Sequence, residues 1–420
     1  MAKGRPPNLI VQILIVTQWY LPEPPGTIVQ DLAQTLQAFG HDVTVLTGFP
    51  NYPAGKIYPG YHQRLQQRET IAGVPVVRIP LYPNHGRSSL KRALNYTSFA
   101  LSGSILGSFV LPKPDVIFGY DSLVGVGVPS MLLSRRWNVP FVYQIQDLWP
   151  ESLVATGMAR QPKVLQYIGA LANRIYCRAA RICVISPGFR TNLIEKGVPA
   201  EKIHVISNWV DTTACLPADK DDGLVKSLML DGKFTVMFAG NIGKAQGLDT
   251  ILSAAELVRT EEDIEFVMVG DGVALPQLKA EALQRNIRNV HFVGRFPPGQ
   301  MPQFYALADA LLVHLKDEPL FQITIPHKTF SYMAAAKPIL MAAVGDAADV
   351  IKQANAGITC KPNDPVALAD AVCTLRSISV EERKHLGINA RRAAEQQYEK
   401  SILVRKIENV LLSAVSGSAN

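Results

Sequence analysis

The sequence lacks the features that mark several broad classes of protein. Its five cysteines form no Cys-x-x-Cys pair and are odd in number, so we expect reduced, mostly buried thiols rather than disulfides or a zinc finger. The polar residues 1–8 contain no apolar core, which argues against a signal peptide. No apolar run reaches the ~20 residues of a membrane span. No basic run is interleaved with aromatic residues, which argues against a nucleic acid partner.

What is present is typical of a globular protein with more than one core. A chain of 420 residues predicts two domains, and 48% hydrophobic with 18% charged residues excludes a disordered one. Lys plus Arg exceed Asp plus Glu by 42 − 35 = 7. This excess fits an ordinary basic surface, an anionic substrate or an anionic membrane surface, and composition leaves the three open.

Apolar runs alternate with helical patterns along the whole chain, which predicts an α/β protein with parallel sheets. The turn-rich segment 215–232 places the domain boundary, with domains at 8–215 and 216–398 and a final helix at 399–414. The predicted strands are 10–17, 42–47, 74–80, 115–120, 140–146, 181–186 and 202–207 in the first half, and 234–240, 264–270, 290–294, 310–315, 338–343 and 357–361 in the second.

Two segments combine a strand, a glycine-containing turn and a helix. The first is the strand 10–17 followed by a loop to Gly26, and the second is the strand 234–239 followed by Gly240 to Gly247. Such turns leave backbone N–H groups and a helix N-terminus at the carboxyl edge of a sheet, which is a site for phosphate. Two of them predict a phosphorylated ligand in a cleft between two α/β domains.

One helical segment, 84–111, has an unusual distribution of charge. It begins with the cations Arg87, Lys91 and Arg92 and is nearly uncharged over 96–111. It fits a helix buried against the sheet, or a helix that lies on a membrane with basic residues at its rim. The sequence leaves both interpretations open.

Several short motifs, in order along nearly the whole chain, resemble family 4 glycosyltransferases. That family has the GT-B fold, in which two Rossmann-like domains face a central cleft and a C-terminal helix returns to the first domain. The motifs are Gly26 and the strand G-H-D-V-T-V-L-T at 40–47, P-D-V-I at 114–117, I-C-V-I-S at 182–186, I-S-N-W-V-D at 206–211, V-G-D-G at 269–272, V-H-F-V-G at 290–294 and Y-M-A-A-A-K-P-I at 332–339.

The combination of Q-D-L-W-P-E-S at 146–152 with G-N-I-G-K-A-Q-G at 240–247 resembles a narrower bacterial subgroup. Its members transfer an amino or acetamido sugar, such as N-acetyl-L-fucosamine, during assembly of O-antigen or capsule. The resemblance implies a retaining enzyme with a nucleotide diphosphate sugar donor, UDP more than GDP, and a polyprenyl-diphosphate-linked sugar acceptor. It also implies a cytoplasmic protein on the inner face of the bacterial plasma membrane, with no metal and no cofactor.

Carried over residue by residue, the family pattern assigns the donor to the second domain and the acceptor to the first. Asn241 and Gln246 stand where the family has an arginine and a lysine, and Ile323 and Ser331 stand where it has paired glutamates. We expect Lys244 to replace the missing cations, although a lysine on a loop is often only a solvated charge. The predicted donor-binding residues are Gly26, Gly240, Asn241, Lys244, Gln246, Gly247, Arg295, Phe296, Thr324, Ile325, Lys328 and Ser331.

The end of the fifth strand carries the predicted catalytic groups. The family often has a histidine where this chain has Gln146, and Asp147 and Glu151 follow it. If the turn is helical, the two carboxylates share one face. Asp147 then orients the donor sugar or the acceptor hydroxyl, or it caps a helix.

Three other functions would also fit a chain of two α/β domains. The loop 18–26 has one glycine and three prolines, which excludes the G-x-G-x-x-G of a nicotinamide oxidoreductase. A nucleotide-sugar 2-epimerase of the same fold, and a catalytically silent partner subunit without the paired glutamates, remain alternatives.

Overall fold

The computed structural model describes residues 10–86, 88–121, 124–155, 157 and 161–417. Its elements form two compact units. The first unit takes the chain up to Ile185, then Phe189–Ile206 and the residues from Val404 onward; the second takes Ser186–Gly188 and Ser207–Leu403.

The first unit is built on an eight-stranded sheet in the order β3-β4-β2-β1-β5-β6-β7-β8. Its strands are β1 (Gln12–Val16), β2 (Asp42–Gly48), β3 (Gln67–Ile71), β4 (Val74–Ile79), β5 (Val116–Asp121), β6 (Phe141–Ile145), β7 (Arg181–Val184) and β8 (Ile203–Val205). Its helices are α1 (Gly26–Ala38), α2 (Ser89–Val110), α3 (Gly127–Trp137), α4 (Glu151–Ala155), α5 (Pro162–Arg178) and α6 (Pro187–Glu195), with short 3₁₀ turns at Val124–Val126 and Ala200–Lys202.

The second unit is built on a six-stranded sheet in the order β11-β10-β9-β12-β13-β14. Its strands are β9 (Phe234–Ala239), β10 (Ile264–Val269), β11 (Val290–Gly294), β12 (Ala310–His314), β13 (Ile339–Ala342) and β14 (Gly357–Cys360). Its helices are α7 (Asp222–Ser227), α8 (Asp249–Leu257), α9 (Leu275–Gln284), α10 (Met301–Leu307), α11 (Pro319–Gln322), α12 (Lys328–Ala334), α13 (Asp346–Ala354), α14 (Pro365–Ser377) and α15 (Val380–Ala393), with 3₁₀ turns at Lys244–Gln246 and Pro298–Gln300 and a π turn at Ala394–Tyr398.

The predicted α/β class with two parallel sheets is confirmed. Every predicted strand coincides with an observed one to within two residues at either end. The agreement has a physical reason: helices cover both faces of a parallel sheet, so its strands are continuous apolar runs that stand out in the sequence. The strand β9, F-T-V-M-F-A, is buried at every position.

One strand, β3, was missed. It pairs antiparallel with β4 through the two-residue turn Ala72-Gly73, whose φ values of 46° and 84° are those that tight hairpins require. Its sequence, Q-R-E-T-I, is polar and only partly buried. An edge strand of this kind has no apolar run for a sequence pattern to detect.

The last helix, α16 (Lys400–Gly417), contributes to both units. Its first residue pairs with Asp211 in the second unit, Nζ to Oδ2, at 2.5 Å. In the first unit, buried Glu408 lies 2.9 Å from Nε2 of buried His41. Since the Val11 N–H donates to Nδ1 of this ring, Nε2 carries the proton and donates to the carboxylate.

We predict that Glu408→Ala destabilises the first unit by about 1–3 kcal/mol, because it leaves the His41 N–H buried without an acceptor. Urea unfolding followed by circular dichroism measures the change in midpoint. The matched variant Glu408→Gln keeps an acceptor oxygen and should lose less. Equal midpoints for the parent and the alanine variant would contradict the assigned role of this bond.

Candidate functional site

The loop after β9 has the backbone form expected of an anion site. The strand ends at Ala239, and Gly240, with φ +138°, donates its N–H to the Val269 carbonyl at 2.9 Å. The loop closes at Gly247, φ +55°, just before α8 begins. The φ of Gly240 is one that residues with a side chain rarely adopt, and a Cβ at Gly247 would lie 3.0 Å from Cε1 of His314, so both positions favour glycine.

Three side chains of this loop that were predicted to bind the donor have different surroundings. The Gln246 side chain braces the loop by accepting the Gly243 N–H at 3.2 Å, so its role is internal. Asn241 and Lys244 are exposed to solvent, and Lys244 is the first residue of the 3₁₀ turn. Of the three, Lys244 alone adds a positive charge to the loop.

Lys328, the first residue of α12, lies against this loop. Its Nζ is 3.6 Å from the ring centroid of Phe238, and a Cβ built on Gly240 would come within 2.8 Å of it. Within the described residues this buried nitrogen has no hydrogen-bond partner. Burial lowers the pKa of Lys328 to about 7, because the charged form is denied water. The geometry therefore fits an anion beside Nζ, which would raise the pKa of Lys328 again and keep the side chain protonated.

Two side chains that the sequence analysis did not single out fix the position of the loop and the lysine. Nδ1 of His314 donates to the Gln246 carbonyl at 2.6 Å, and burial lowers the pKa of this histidine to about 4, so the ring is neutral. The Tyr332 hydroxyl accepts the Ala239 N–H at 2.7 Å and donates to the Ala239 carbonyl at 2.9 Å. Because Tyr332 lies on α12, this bond anchors the helix that carries Lys328 to the end of β9.

The segment before α12 offers fewer donors than predicted. The Thr324 N–H donates to the Phe321 carbonyl at 3.4 Å, and the Thr324 hydroxyl donates to the Leu320 carbonyl at 2.7 Å, so neither donor is free for a ligand. The Ile325 side chain belongs to the core. Ser331 lies in α12, where its carbonyl accepts a weak bond from the Cys215 thiol at 3.5 Å.

The predicted base-binding pair follows β11. Arg295 is exposed, whereas the Phe296 ring packs against Phe304 with centroids 4.2 Å apart. Phe296 therefore has a packing role of its own, and a base would meet its free face or the adjacent backbone.

Gly26 in the first unit has a packing explanation. It begins α1, and a Cβ there would lie 2.3 Å from the Tyr20 carbonyl carbon. The glycine is therefore required for the start of the helix to approach the backbone of the preceding loop.

The three residues after β6 differ in their surroundings. Gln146 hydrogen-bonds buried Tyr120, and Glu151 pairs with Lys196 at 2.7 Å. Asp147 retains solvent access, yet desolvation raises its pKa to about 6, opposed by a hydrogen bond from Ser152 at 3.5 Å. A bend and a turn, not a helix, connect residues 147 and 151, so the i, i+4 argument does not apply. Asp147 is the better placed of the two carboxylates for proton transfer near neutral pH.

A cluster of four aromatic rings at the carboxyl edge of the first sheet was not predicted. Trp19, Tyr52 and His85 follow β1, β2 and β4, and Tyr96 lies on α2. Ring centroids are 5.1 Å apart for Trp19–Tyr52 and for Tyr52–His85, and 6.4 Å for His85–Tyr96. Trp19 Nε1 and His85 Nε2 are buried without a partner in the described part of the chain. The available signal was that three of these residues follow strands that end at one edge.

Two features of other protein classes are absent from the described residues. Among the described residues, no helix is long and apolar enough to cross a membrane. In the same part of the chain, no group of three or more His, Cys, Asp or Glu side chains is arranged to hold a metal ion.

Comparison with known proteins covers most of the chain. Residues 25–209 match the family described as "Glycosyl transferase 4-like domain", and residues 220–393 match "Glycosyl transferases group 1". The chain is 31% identical to the probable glycosyltransferase WbjE of Pseudomonas aeruginosa over 66% of its own length and 68% of the relative. It is also 31% identical to the putative colanic acid biosynthesis glycosyl transferase WcaI of Escherichia coli, over 72% and 76%.

The same two-unit fold occurs in solved structures. The crystal structure of HepE of Anabaena in complex with UDP and glucose superposes with a TM-score of 0.71 at 19% identity, covering 96% of this chain and all of that one, 100%. At this identity the likeness establishes the fold alone.

Proposed function

Since the chain belongs to the glycosyltransferases that join a 4-like domain to a group 1 domain, we propose that it moves a sugar from a nucleotide diphosphate donor to a lipid-linked saccharide. The second unit binds the donor and the first unit binds the acceptor. The product is an intermediate of a cell-surface polysaccharide, which is supported by the colanic acid assignment of the similar WcaI. The donor sugar is an acetamido sugar, transferred with retention of configuration, as the motif resemblance implies.

The observation that carries the donor proposal is the buried ammonium nitrogen of Lys328 beside Gly240. A diphosphate at this point supplies the negative charge that a buried lysine needs, and the glycine removes the side chain that would obstruct it. The α8 N-terminus adds a partial positive charge of up to ~0.5. UDP is favoured over GDP because the similar HepE was crystallised with UDP.

The proposed chemistry relies on stabilising the leaving diphosphate. Ile323 and Ser331 occupy the positions of the family glutamates, so no carboxylate at these positions holds the donor sugar. Positive charge on Lys328, with Lys244 as the second cation, then stabilises the charge that develops as the glycosidic bond breaks. Positioning of the acceptor hydroxyl supplies the remaining part of the rate enhancement.

We predict a pH-dependent affinity for UDP. The diphosphate should raise the pKa of Lys328 from about 7, so the complex binds more protons than the free enzyme above that pH. The dissociation constant should rise by up to about tenfold per pH unit above pH 7. UDP itself does not interfere there, because its terminal phosphate titrates near pH ~6. Calorimetry at pH 7, 8 and 9 measures this slope.

Three variants make the test specific. Lys328→Met should abolish the slope and weaken binding. Lys244→Ala should keep the slope and raise the dissociation constant about tenfold, near 1.4 kcal/mol. Lys226→Ala, an exposed lysine on α7, is the matched control and should bind as the parent does. An unchanged slope in Lys328→Met would refute the role of this lysine; parental affinity in Lys244→Ala would make Lys244 a surface charge.

Asp147 is the proposed group that orients the reacting hydroxyl or the donor sugar. Mass spectrometry after incubation with UDP- and GDP-sugars and a lipid-diphosphate-sugar acceptor should detect a product one sugar heavier. Asp147→Asn keeps the shape and the Ser152 bond but removes the charge, so turnover should fall ~100-fold or more at an unchanged melting temperature.

Glu151→Gln serves as the comparison. It removes the ion pair with Lys196, which should lower the free energy of unfolding by at most about 1 kcal/mol. Its turnover should fall much less than that of Asp147→Asn. Near-normal turnover in Asp147→Asn would exclude the catalytic role. Conversion of a UDP-sugar without acceptor would indicate the 2-epimerase, and donor binding without any conversion would indicate the silent subunit.

A lipid-linked acceptor requires contact with a membrane, and α2 is the proposed contact. Its buried face contains the small residues Gly103 and Gly107, where a Cβ would come 3.0 Å from Pro129 and from Leu133 of α3. Phe99 is buried as well, but in the second half of the helix three large apolar residues face outward, with Leu101 62%, Ile105 58% and Phe109 81% exposed. An ordinary amphipathic helix has the opposite arrangement. An exposed apolar stripe of this kind fits the interface of a bilayer.

The predicted basic rim is only partly described. Arg87 lies outside the described residues, Lys91 is exposed, and Arg92 is half-buried. On this basis the protein is proposed to act at the cytoplasmic face of the bacterial plasma membrane, with Lys91 as one contact to anionic lipid.

We expect the parent protein to sediment with anionic vesicles and the double variant Ile105→Ser, Phe109→Ser to sediment less, also at high salt, since apolar burial is not screened. Lys91→Glu should lose binding mainly at low salt. The matched control is Val273→Ser with Leu283→Ser, two residues of the second unit that are each 83% exposed. Equal sedimentation of the parent and the α2 variant would remove this helix from the membrane contact.

A further inference from the structure

An apolar cavity of about 990 Å³ lies in the first unit beside α2. Its walls come from α2, the start of α3, α4 and α5, with Trp149 from the loop after β6. Leu101, Val128, Leu153 and Ile168 are among the apolar residues that line it. This volume is at the upper end of the roughly 300–1,000 Å³ range of ligand pockets. A packed core does not leave such a space between helices.

Among the described residues that line the cavity, Arg92 is the one that carries a charge. Its Nε is buried without a partner in the described part of the chain, and its Nη2 makes only a long contact, 3.5 Å, to Ser89 on the same helix. A half-buried guanidinium whose Nε is shielded from water would be stabilised by an anion that a ligand supplies. The donor set of Arg matches the oxygens of a phosphate.

Arg92 also connects the cavity to the aromatic cluster of Trp19, Tyr52, His85 and Tyr96. Tyr96 lines the cavity and belongs to the cluster. His85 is close enough that the charge of Arg92, after burial, lowers its pKa. The cavity is followed by a half-buried cation and then by aromatic rings at the sheet edge, where Trp19 Nε1 and His85 Nε2 have no partner among the described residues. Aromatic faces flanked by such polar atoms suit a sugar ring.

We propose that the cavity binds the isoprenoid chain of the acceptor, that Arg92 binds its diphosphate, and that the aromatic cluster receives its first sugar. The inference rests on the proposed lipid-linked acceptor and adds where that lipid binds. The exposed positions Leu90, Ala93, Thr97 and Leu101 border the cavity, and Ile105 and Phe109 continue the same helix outward. A chain leaving a bilayer in contact with α2 would pass the exposed apolar residues Phe109, Ile105 and Leu101 before it reaches the cavity.

The test is calorimetry of the full chain with farnesyl diphosphate, which carries the proposed apolar and anionic parts in a small molecule. We expect it to bind at least tenfold tighter than inorganic diphosphate and than farnesol. Thr97 is exposed and lines the cavity, so a tryptophan at this position should fill part of the cavity. Thr97→Trp should therefore weaken the binding of farnesyl diphosphate at least tenfold, and Arg92→Gln should weaken it as much. The matched controls on α3, Leu132→Trp and Arg136→Gln, change exposed residues outside the cavity lining and should bind as the parent does.

Each outcome has a defined meaning. Parental affinity in both Thr97→Trp and Arg92→Gln would overturn the proposal, as would equal affinity for dihexanoyl phosphatidic acid, which would make the occupant a bilayer phospholipid. If Thr97→Trp does not fold, Ala93→Trp fills the same cavity from another exposed position. Every variant should still bind UDP in the second unit, and this binding serves as the internal reference. Sugar transfer without farnesyl diphosphate binding would refute this inference alone, whereas failure to bind UDP or any nucleotide sugar would refute the proposed function.

Discussion

The buried ammonium group of Lys328 is the constraint around which the second unit is arranged. Such a group costs several kcal/mol without compensation, and this unit does not compensate it with a carboxylate. Instead the nitrogen lies over the Phe238 ring, and its pKa falls to about 7. Gly240 leaves room for it, and Tyr332 holds its helix to the end of β9. The lysine is thus held where burial favours its neutral form and where an anion would stabilise its charged form.

This arrangement also accounts for two departures from the family pattern. With Asn241 and Gln246 in place of cations, the loop has less positive charge, and Gln246 takes a structural role by bracing Gly243. His314 holds the same loop from β12 while remaining neutral. The loop therefore keeps its shape through neutral hydrogen bonds, and its charge is concentrated in Lys328 and exposed Lys244.

The sequence was sufficient for features that depend on neighbouring residues. Buried parallel strands are continuous apolar runs, and the glycines of the β9 loop mark its backbone directly. It was not sufficient where distant segments converge. The distinction between Asp147 and Glu151 depends on Lys196, which directly follows α6, and the cluster of Trp19, Tyr52 and His85 depends on strand order. The polar strand β3 was invisible because an edge strand needs no apolar pattern.

The helix α2 explains why the sequence left two interpretations of the segment 84–111 open, since both describe part of it. Asn95 and Phe99 are buried, Gly103 and Gly107 allow close approach to α3, and Phe109 faces outward. From residue 101 onward, glycines on the buried side and large apolar residues on the exposed side give a uniformly apolar sequence. A helix that packs by glycine has its bulky residues free for a second apolar partner. In this molecule that free side borders the cavity that contains Arg92, so the residue expected at a membrane rim lies instead where an apolar space meets a polar sheet edge.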